Sequence, residues 1–134
     1  MRILIVEDDP FVALDLESIV QDALQGVLQD ALQGGAQDAA QADVAVALSV
    51  AEARECLAGA DFAFLDVDLI DGRVFEVARM LKARRIPFAF VTGAPRGDIP
   101  LHLRDAPFIA KPYRVWQIEN SLRDATAVRA ARSA

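Results

Sequence analysis

Phe62-Ala63-Phe64-Leu65-Asp66 is a short apolar run that stops on a carboxylate. Three other runs in the chain end in the same manner. Ile3-Leu4-Ile5-Val6 leads into Glu7-Asp8-Asp9, Phe88-Ala89-Phe90-Val91 into Thr92, and Phe108-Ile109-Ala110 into Lys111-Pro112. Buried parallel strands read as continuous apolar runs, and open α/β sheets bind ligands at the carboxyl ends of their strands. If these runs are neighbours, carboxylates, a hydroxyl and an ammonium converge on one rim. That set of groups suits Mg²⁺-assisted transfer of a phosphoryl group to a carboxylate.

Working outward, five runs read as strands, at about 2–6, 44–48, 62–65, 87–91 and 107–110. Helical patterns fall between them, so the order is alternating βα and the sheet is parallel. Ser49 with Glu52 three residues later forms a capping box that opens a helix through Cys56 and Leu57. Val74, Val77, Ala78 and Leu81 make a helical stripe after an Asp71-Gly72 turn. Val115, Ile118, Leu122 and Ala125 make another for a last helix, with Arg129 and Arg132 near its end. The segment between Thr92 and Phe108 carries Pro95, Gly97 and Pro100, and one short helix near 99–104 is expected there.

Composition narrows the functional classes. At 134 residues and 54% apolar content the chain is expected to form one domain, 1–134, with a substantial core. A net charge of -6 and a pI near 4.7 argue against nucleic acid as a partner, which needs a basic face. The densest basic group is Lys82, Arg84 and Arg85 at an expected helix end, where it complements the helix dipole. Cys56 is the only cysteine, so neither an intrachain disulfide nor a multi-cysteine zinc site can form. Cys56 and the single His102 read as packing or surface residues. No signal-peptide pattern opens the chain and no apolar run reaches the roughly 20 residues of a membrane span. A soluble, cytoplasmic protein is the expectation.

One region departs from an economical design. Gln21-Asp22-Ala23-Leu24-Gln25-Gly26 recurs identically as Gln29-Asp30-Ala31-Leu32-Gln33-Gly34. Two six-residue copies are too short for a solenoid, and a local duplication gives an insertion or helix extension at about 21–42. Val20, Leu24, Val27 and Ala31 are spaced like a coiled-coil seam, with Leu28 and Leu32 beside it. A helix over 10–33 would be about 36 Å long at 1.5 Å per residue, longer than the sheet it covers. Its far half either folds back and is solvated, or forms a helix–helix contact between two copies, a homodimer through the elongated first helix. Gly34-Gly35 is the expected stop, with 36–42 a loop or a further helical turn.

Taken together, Val-Glu-Asp-Asp-Pro at 6–10, Phe-Leu-Asp-Val-Asp-Leu at 64–69, Val-Thr-Gly at 91–93 and Lys-Pro-Tyr at 111–113 resemble the receiver domain of two-component response regulators. The resemblance covers the chain outside about 21–42. It implies a flavodoxin-like α/β fold, a five-stranded parallel sheet of order 2-1-3-4-5 with helices on both faces. It further implies that Asp66 accepts a phosphoryl group from a phosphohistidine of a partner histidine kinase or histidine phosphotransfer protein. Asp8 would ligate Mg²⁺ directly, with Asp66 and the backbone carbonyl of Asp68, and Glu7 through a water. Thr92 and Lys111 would hold the phosphoryl oxygens, and Phe108 takes the position of the family's switch aromatic. The output would be contact with a downstream protein target, because no residues beyond 134 remain for an effector domain. Pro87 to Gly93 also resembles a subgroup of stand-alone receivers from alphaproteobacteria, although Ala94-Pro95 replaces that subgroup's usual aromatic.

The first helix is longer, and the 92–108 stretch shorter, than in ordinary receivers, which brings the family's usual dimer face into question. Asp68 adds a negative side chain near the acceptor, where it is expected to repel an anionic donor. Two other functions compete. Phe64-Leu65-Asp66-Val67-Asp68 also fits the Asp-x-Asp opening of haloacid-dehalogenase-type phosphatases, but the acid pair precedes it and only Glu119 and Asp124 follow the lysine. The other is an adaptor of receiver fold that is never phosphorylated. The complete set of acids, threonine and lysine argues against it, and the chain reads as a signalling phosphoacceptor, not a classical enzyme.

Overall fold

The computed structural model describes residues 1–33 and 42–133. Five strands form one parallel sheet: β1 (Arg2–Val6), β2 (Asp43–Ala47), β3 (Phe62–Leu65), β6 (Phe88–Thr92) and β7 (Phe108–Ala110), in the order β2-β1-β3-β6-β7. Two-residue strands β4 (Asp68–Leu69) and β5 (Gly72–Arg73) make a separate antiparallel hairpin. Counted over the main sheet alone this is the expected 2-1-3-4-5 order. Helices α1 (Pro10–Gln33) and α4 (Val115–Ser133) cover one face, while α2 (Val50–Cys56) and α3 (Phe75–Ala83) cover the other.

Strand alternation divides the core into two layers. Ile3 and Ile5 of β1 join Phe62 and Phe64 of β3 beneath α1 and α4. Leu4 and Val6 join Ala63, Leu65, Phe88 and Phe90 beneath α2 and α3. Register sets large against small: Ala63 pairs with Phe88 and Phe64 with Ala89, so each ring occupies room left by a neighbouring alanine. All four residues are buried.

The helix signals are realised with local differences. Ser49 caps α2 by accepting from the Glu52 N–H at 3.1 Å, and the Glu52 carboxylate accepts from the Leu48 N–H at 2.7 Å. Asp9 caps α1, its Oδ1 accepting from Phe11 N–H at 2.9 Å, and Pro10 stands first in the helix, where a missing N–H costs nothing. In α4, Ile118, Leu122 and Ala125 are buried, whereas Val115 is exposed and lies outside the core stripe.

The single short helix expected near 99–104 is instead a pair of 3₁₀ turns, Arg96–Asp98 and Leu101–Leu103. Pro100 is the cause. Its ring drives the preceding Ile99 into extended backbone, with ψ of 128°, and its missing N–H interrupts the helical ladder. Ile99 and Leu103 are nevertheless buried in the core layer of α2 and α3. Arg104 ties the two turns together by donating to the carbonyls of Ile99, at 2.8 Å, and Gly97, at 3.1 Å.

The elongated first helix is present. Ala13, Leu16, Val20 and Leu24 are buried, and Val20 and Leu24 lie in one core layer with Ile118, Leu122 and Ala125 of α4. Two positions of the seam read from the sequence are therefore taken up inside the chain. Val27 and Leu28 are half-buried. The expected stop at Gly34-Gly35 lies outside the described residues, as do the side chains of Ala31, Leu32, Arg129 and Arg132.

Candidate functional site

The carboxyl ends of β1, β3, β6 and β7 meet at one rim, and backbone hydrogen bonds carry the sheet's register one residue past the strands. Glu7 N–H donates to the Ala47 carbonyl at 3.0 Å, Asp66 N–H to Val6 at 2.9 Å, and Lys111 N–H to Thr92 at 2.9 Å. The positions of the polar groups are thus set by the ladder and not by loop conformation.

Glu7, Asp66 and Thr92 are buried, and Asp8 is half-buried. One carboxylate oxygen from each of Glu7, Asp8 and Asp66 lies within 4.8 Å of the other two. The Lys111 ammonium crosses from the sheet's edge to donate to Glu7 Oε1 at 2.6 Å and to Asp66 Oδ2 at 3.1 Å. Asp66 Oδ1 accepts from the Val67 N–H at 2.8 Å, and the Thr92 hydroxyl oxygen accepts from the Ala94 N–H at 3.1 Å.

Electrostatics separate the two buried acids. Burial pushes the Glu7 carboxyl up, and its hydrogen bond with Asp66 adds to that, so its pKa is raised to about 8 despite Lys111. Burial acts on Asp66 in the same direction, but hydrogen bonds from Glu7, Thr92 and Lys111 outweigh it and hold Asp66 below its ordinary value. Lys111 is raised: burial disfavours its charge, and the two carboxylates more than compensate.

The donor set fits a divalent cation. Glu7 Oε2 is buried without a hydrogen-bond partner, which is costly for a carboxylate oxygen. A hard cation with oxygen ligands would satisfy it and relieve the crowding of three acids.

Most of the residues named from the sequence converge here, with one difference. The Asp68 side chain is exposed and turned to Arg73, whose Nε lies 3.3 Å from its Oδ1. The charge expected to repel an anionic donor is therefore countered by a guanidinium, which also reaches Asp98 at 3.4 Å. Asp9, the third acid of the run, is occupied as the α1 cap. Phe108 is half-buried against the α2–α3 core layer, with the Arg96 guanidinium 6.0 Å from its ring centroid. Glu119 and Asp124, on α4, do not join the carboxylate cluster among the described residues.

Sequence reasoning missed two partners of the rim loops. Asp71, read only as part of a turn, accepts from the Val50 and Ala51 N–H groups at 2.7 and 3.1 Å and so ties the hairpin to the start of α2. Its carboxyl is held below its ordinary value by those two amides. Tyr113 donates its hydroxyl to Asp15 of α1. Burial and that carboxylate raise the pKa of the phenol.

No protein-family model matches the chain, and no curated protein resembles it closely enough to count as a relative. Solved structures do match. The signal receiver domain of a DNA-binding response regulator (merR) from Colwellia psychrerythraea 34H is 19% identical, with a TM-score of 0.74 over 95% of this chain and 98% of that one. The N-terminal domain of a response regulator/sensory box/GGDEF 3-domain protein from Carboxydothermus hydrogenoformans matches over 100% of both chains, at 19% identity and a TM-score of 0.74. The non-phosphorylated HemR receiver domain from Leptospira biflexa is 26% identical over 92% of both chains, with a TM-score of 0.64. The chain has the receiver-domain fold of response regulators.

Proposed function

We propose that this receiver-fold protein is a phosphoryl acceptor in two-component signalling, with Asp66 as the residue modified. The observation that carries the reading is a buried Asp66 carboxylate kept ionised beside Lys111, with the Thr92 hydroxyl on the adjacent strand. An ionised carboxylate is a competent nucleophile at neutral pH. Its oxygen attacks the phosphorus of a phosphohistidine in a partner histidine kinase or phosphotransfer protein. The P–N bond breaks, the released imidazole nitrogen takes a proton, and an aspartyl phosphate results. Lys111 transfers its hydrogen bond from Asp66 to a phosphoryl oxygen, and Thr92 donates its hydroxyl to another. Asp8, Asp66 and the backbone carbonyl of Asp68 would hold Mg²⁺ directly and Glu7 through a water. When bound, Mg²⁺ supplies charge that neutralises phosphoryl oxygens and the clustered acids.

Phe108 would move with Thr92 once that hydroxyl is drawn to phosphate, and the altered surface would be read by a protein target. A phosphatase of the Asp-x-Asp class is disfavoured because α4 supplies no acid to the cluster. The test is incubation with acetyl phosphate and Mg²⁺ followed by intact mass. Wild type should gain one phosphoryl group, Asp66→Asn should gain none, and chelation of Mg²⁺ should prevent the gain. A wild type that stays unmodified would leave the constitutive adaptor as the better reading. Sustained release of phosphate from an ester, lost in Asp66→Asn, would favour the phosphatase.

A further inference from the structure

We propose that Tyr113 is a positioning residue for the Lys111 ammonium, a role that rests on the phosphoryl-acceptor reading of Asp66. Lys111 is the first residue beyond β7, and its long side chain has to reach back over the sheet to Glu7 and Asp66. A lysine stem has many rotamers, so holding its tip on two carboxylates requires a fixed backbone. On the strand side the backbone is fixed, because Lys111 N–H donates to the Thr92 carbonyl. On the other side the ladder has ended. Pro112 is exposed and has no N–H to offer, and the Arg114 N–H is already given to Gln117 Oε1 at the start of α4.

Tyr113 lies between these points and supplies the missing anchor. Its ring packs against the core layer beneath α1 and α4, and its hydroxyl donates to Asp15, 98 residues away on α1. Bonds from a neutral hydroxyl to a carboxylate are stronger than those between neutral groups. Asp15 sits on the helix that starts directly after Glu7-Asp8-Asp9. The anchor for the bridging lysine is thus tied to the helix that directly follows two of the rim acids, Glu7 and Asp8. Nothing else about Asp15 requires a carboxylate: it is exposed and forms no ion pair among the described residues.

Tyr113→Phe keeps the ring and removes only the hydroxyl, so it isolates the anchor. In the full chain with acetyl phosphate and Mg²⁺, Tyr113→Phe and Asp15→Ala should each slow modification of Asp66 by about 3- to 10-fold, the range of one lost hydrogen bond acting through alignment. The two losses should not add, and neither should appear in a Lys111→Met background. A purely structural effect would persist there. Independently of any phosphodonor, NMR order parameters of the Lys111 side chain should fall in Tyr113→Phe while those of β1 and β3 amides stay put. An unmodified wild type would sink the acceptor reading alone, since the lysine order parameter still decides the positioning role. Unchanged lysine order in Tyr113→Phe, or a rate loss that persists without Lys111, would overturn it.

Discussion

The two least ordinary segments of this molecule lie on opposite faces of one sheet, and they depart in opposite directions. Helix α1 runs for 24 residues, well past the five-residue strand it covers. Between β6 and β7, two three-residue 3₁₀ turns stand where a βα unit would place a helix. Yet each segment supplies what its core layer needs: Leu16, Val20 and Leu24 on one side, Ile99 and Leu103 on the other. The rim between them is undisturbed. Glu7, Asp66 and Lys111 are placed by backbone bonds to neighbouring strands, so length and helicity can vary on either face without moving them.

Three measurements would break or sharpen that contrast. The largest effect should come from Leu24→Asp, which puts a charge into a fully buried site between α1 and α4. We expect a loss of about 3 kcal/mol or more in urea unfolding, as for other unpaired buried charges. A loss below about 1 kcal/mol would mean that this half of α1 is not part of the core. Next comes Leu103→Ala, expected to cost about 2–5 kcal/mol although its element is a single 3₁₀ turn, against about 0.5 kcal/mol or less for the exposed neighbour Leu101→Ala. Equal costs would show that the turns do not plug the core.

The smallest effect separates the rim from both faces. Unfolded, Glu7 ionises near 4.5; folded, it keeps its proton to about 8. The folded state therefore binds more protons across that interval, and the Glu7 contribution, complete below 4.5, is lost as pH rises towards 8. Asp66 has the opposite sign, its contribution complete above the unfolded value and lost as pH falls from there through its lowered folded value. Denaturation midpoints at pH 6 and pH 8 should thus decline with pH, and Glu7→Gln should flatten the decline. Mg²⁺ should help more at pH 8, where it no longer competes with the proton. A midpoint that climbs between pH 6 and pH 8 would contradict the assignment.

Much of the fold was legible because the informative signals were local. Apolar runs of four or five residues ending in polar groups marked the strands, and the Ser49/Glu52 spacing marked a helix start. The rim acids, Thr92 and Lys111 followed from the same strand ends. What escaped depended on distance or on competition between local rules. One short helix is expected near 99–104, and the conformational demand of Pro100 splits it into two 3₁₀ turns. Val115 matched the α4 stripe in spacing, but at the helix's first turn it stands clear of the core. Asp9, to which the sequence reading assigns no role, caps α1. The Asp15–Tyr113 and Asp71–Val50 bonds join residues 98 and 21 positions apart, which no single-sequence pattern encodes.

The cap that Asp71 places on α2 gives the molecule a remote reporter. Val50 and Ala51 are the first two residues of α2, where amide hydrogens ordinarily exchange with water almost freely. Here each is closed by a carboxylate borrowed from the hairpin that follows the acceptor. Their deuterium uptake therefore records the hairpin's position, not the helix's own stability. An event at Asp66 that lifts the hairpin would register as faster exchange at these two amides, without any label placed at the rim itself.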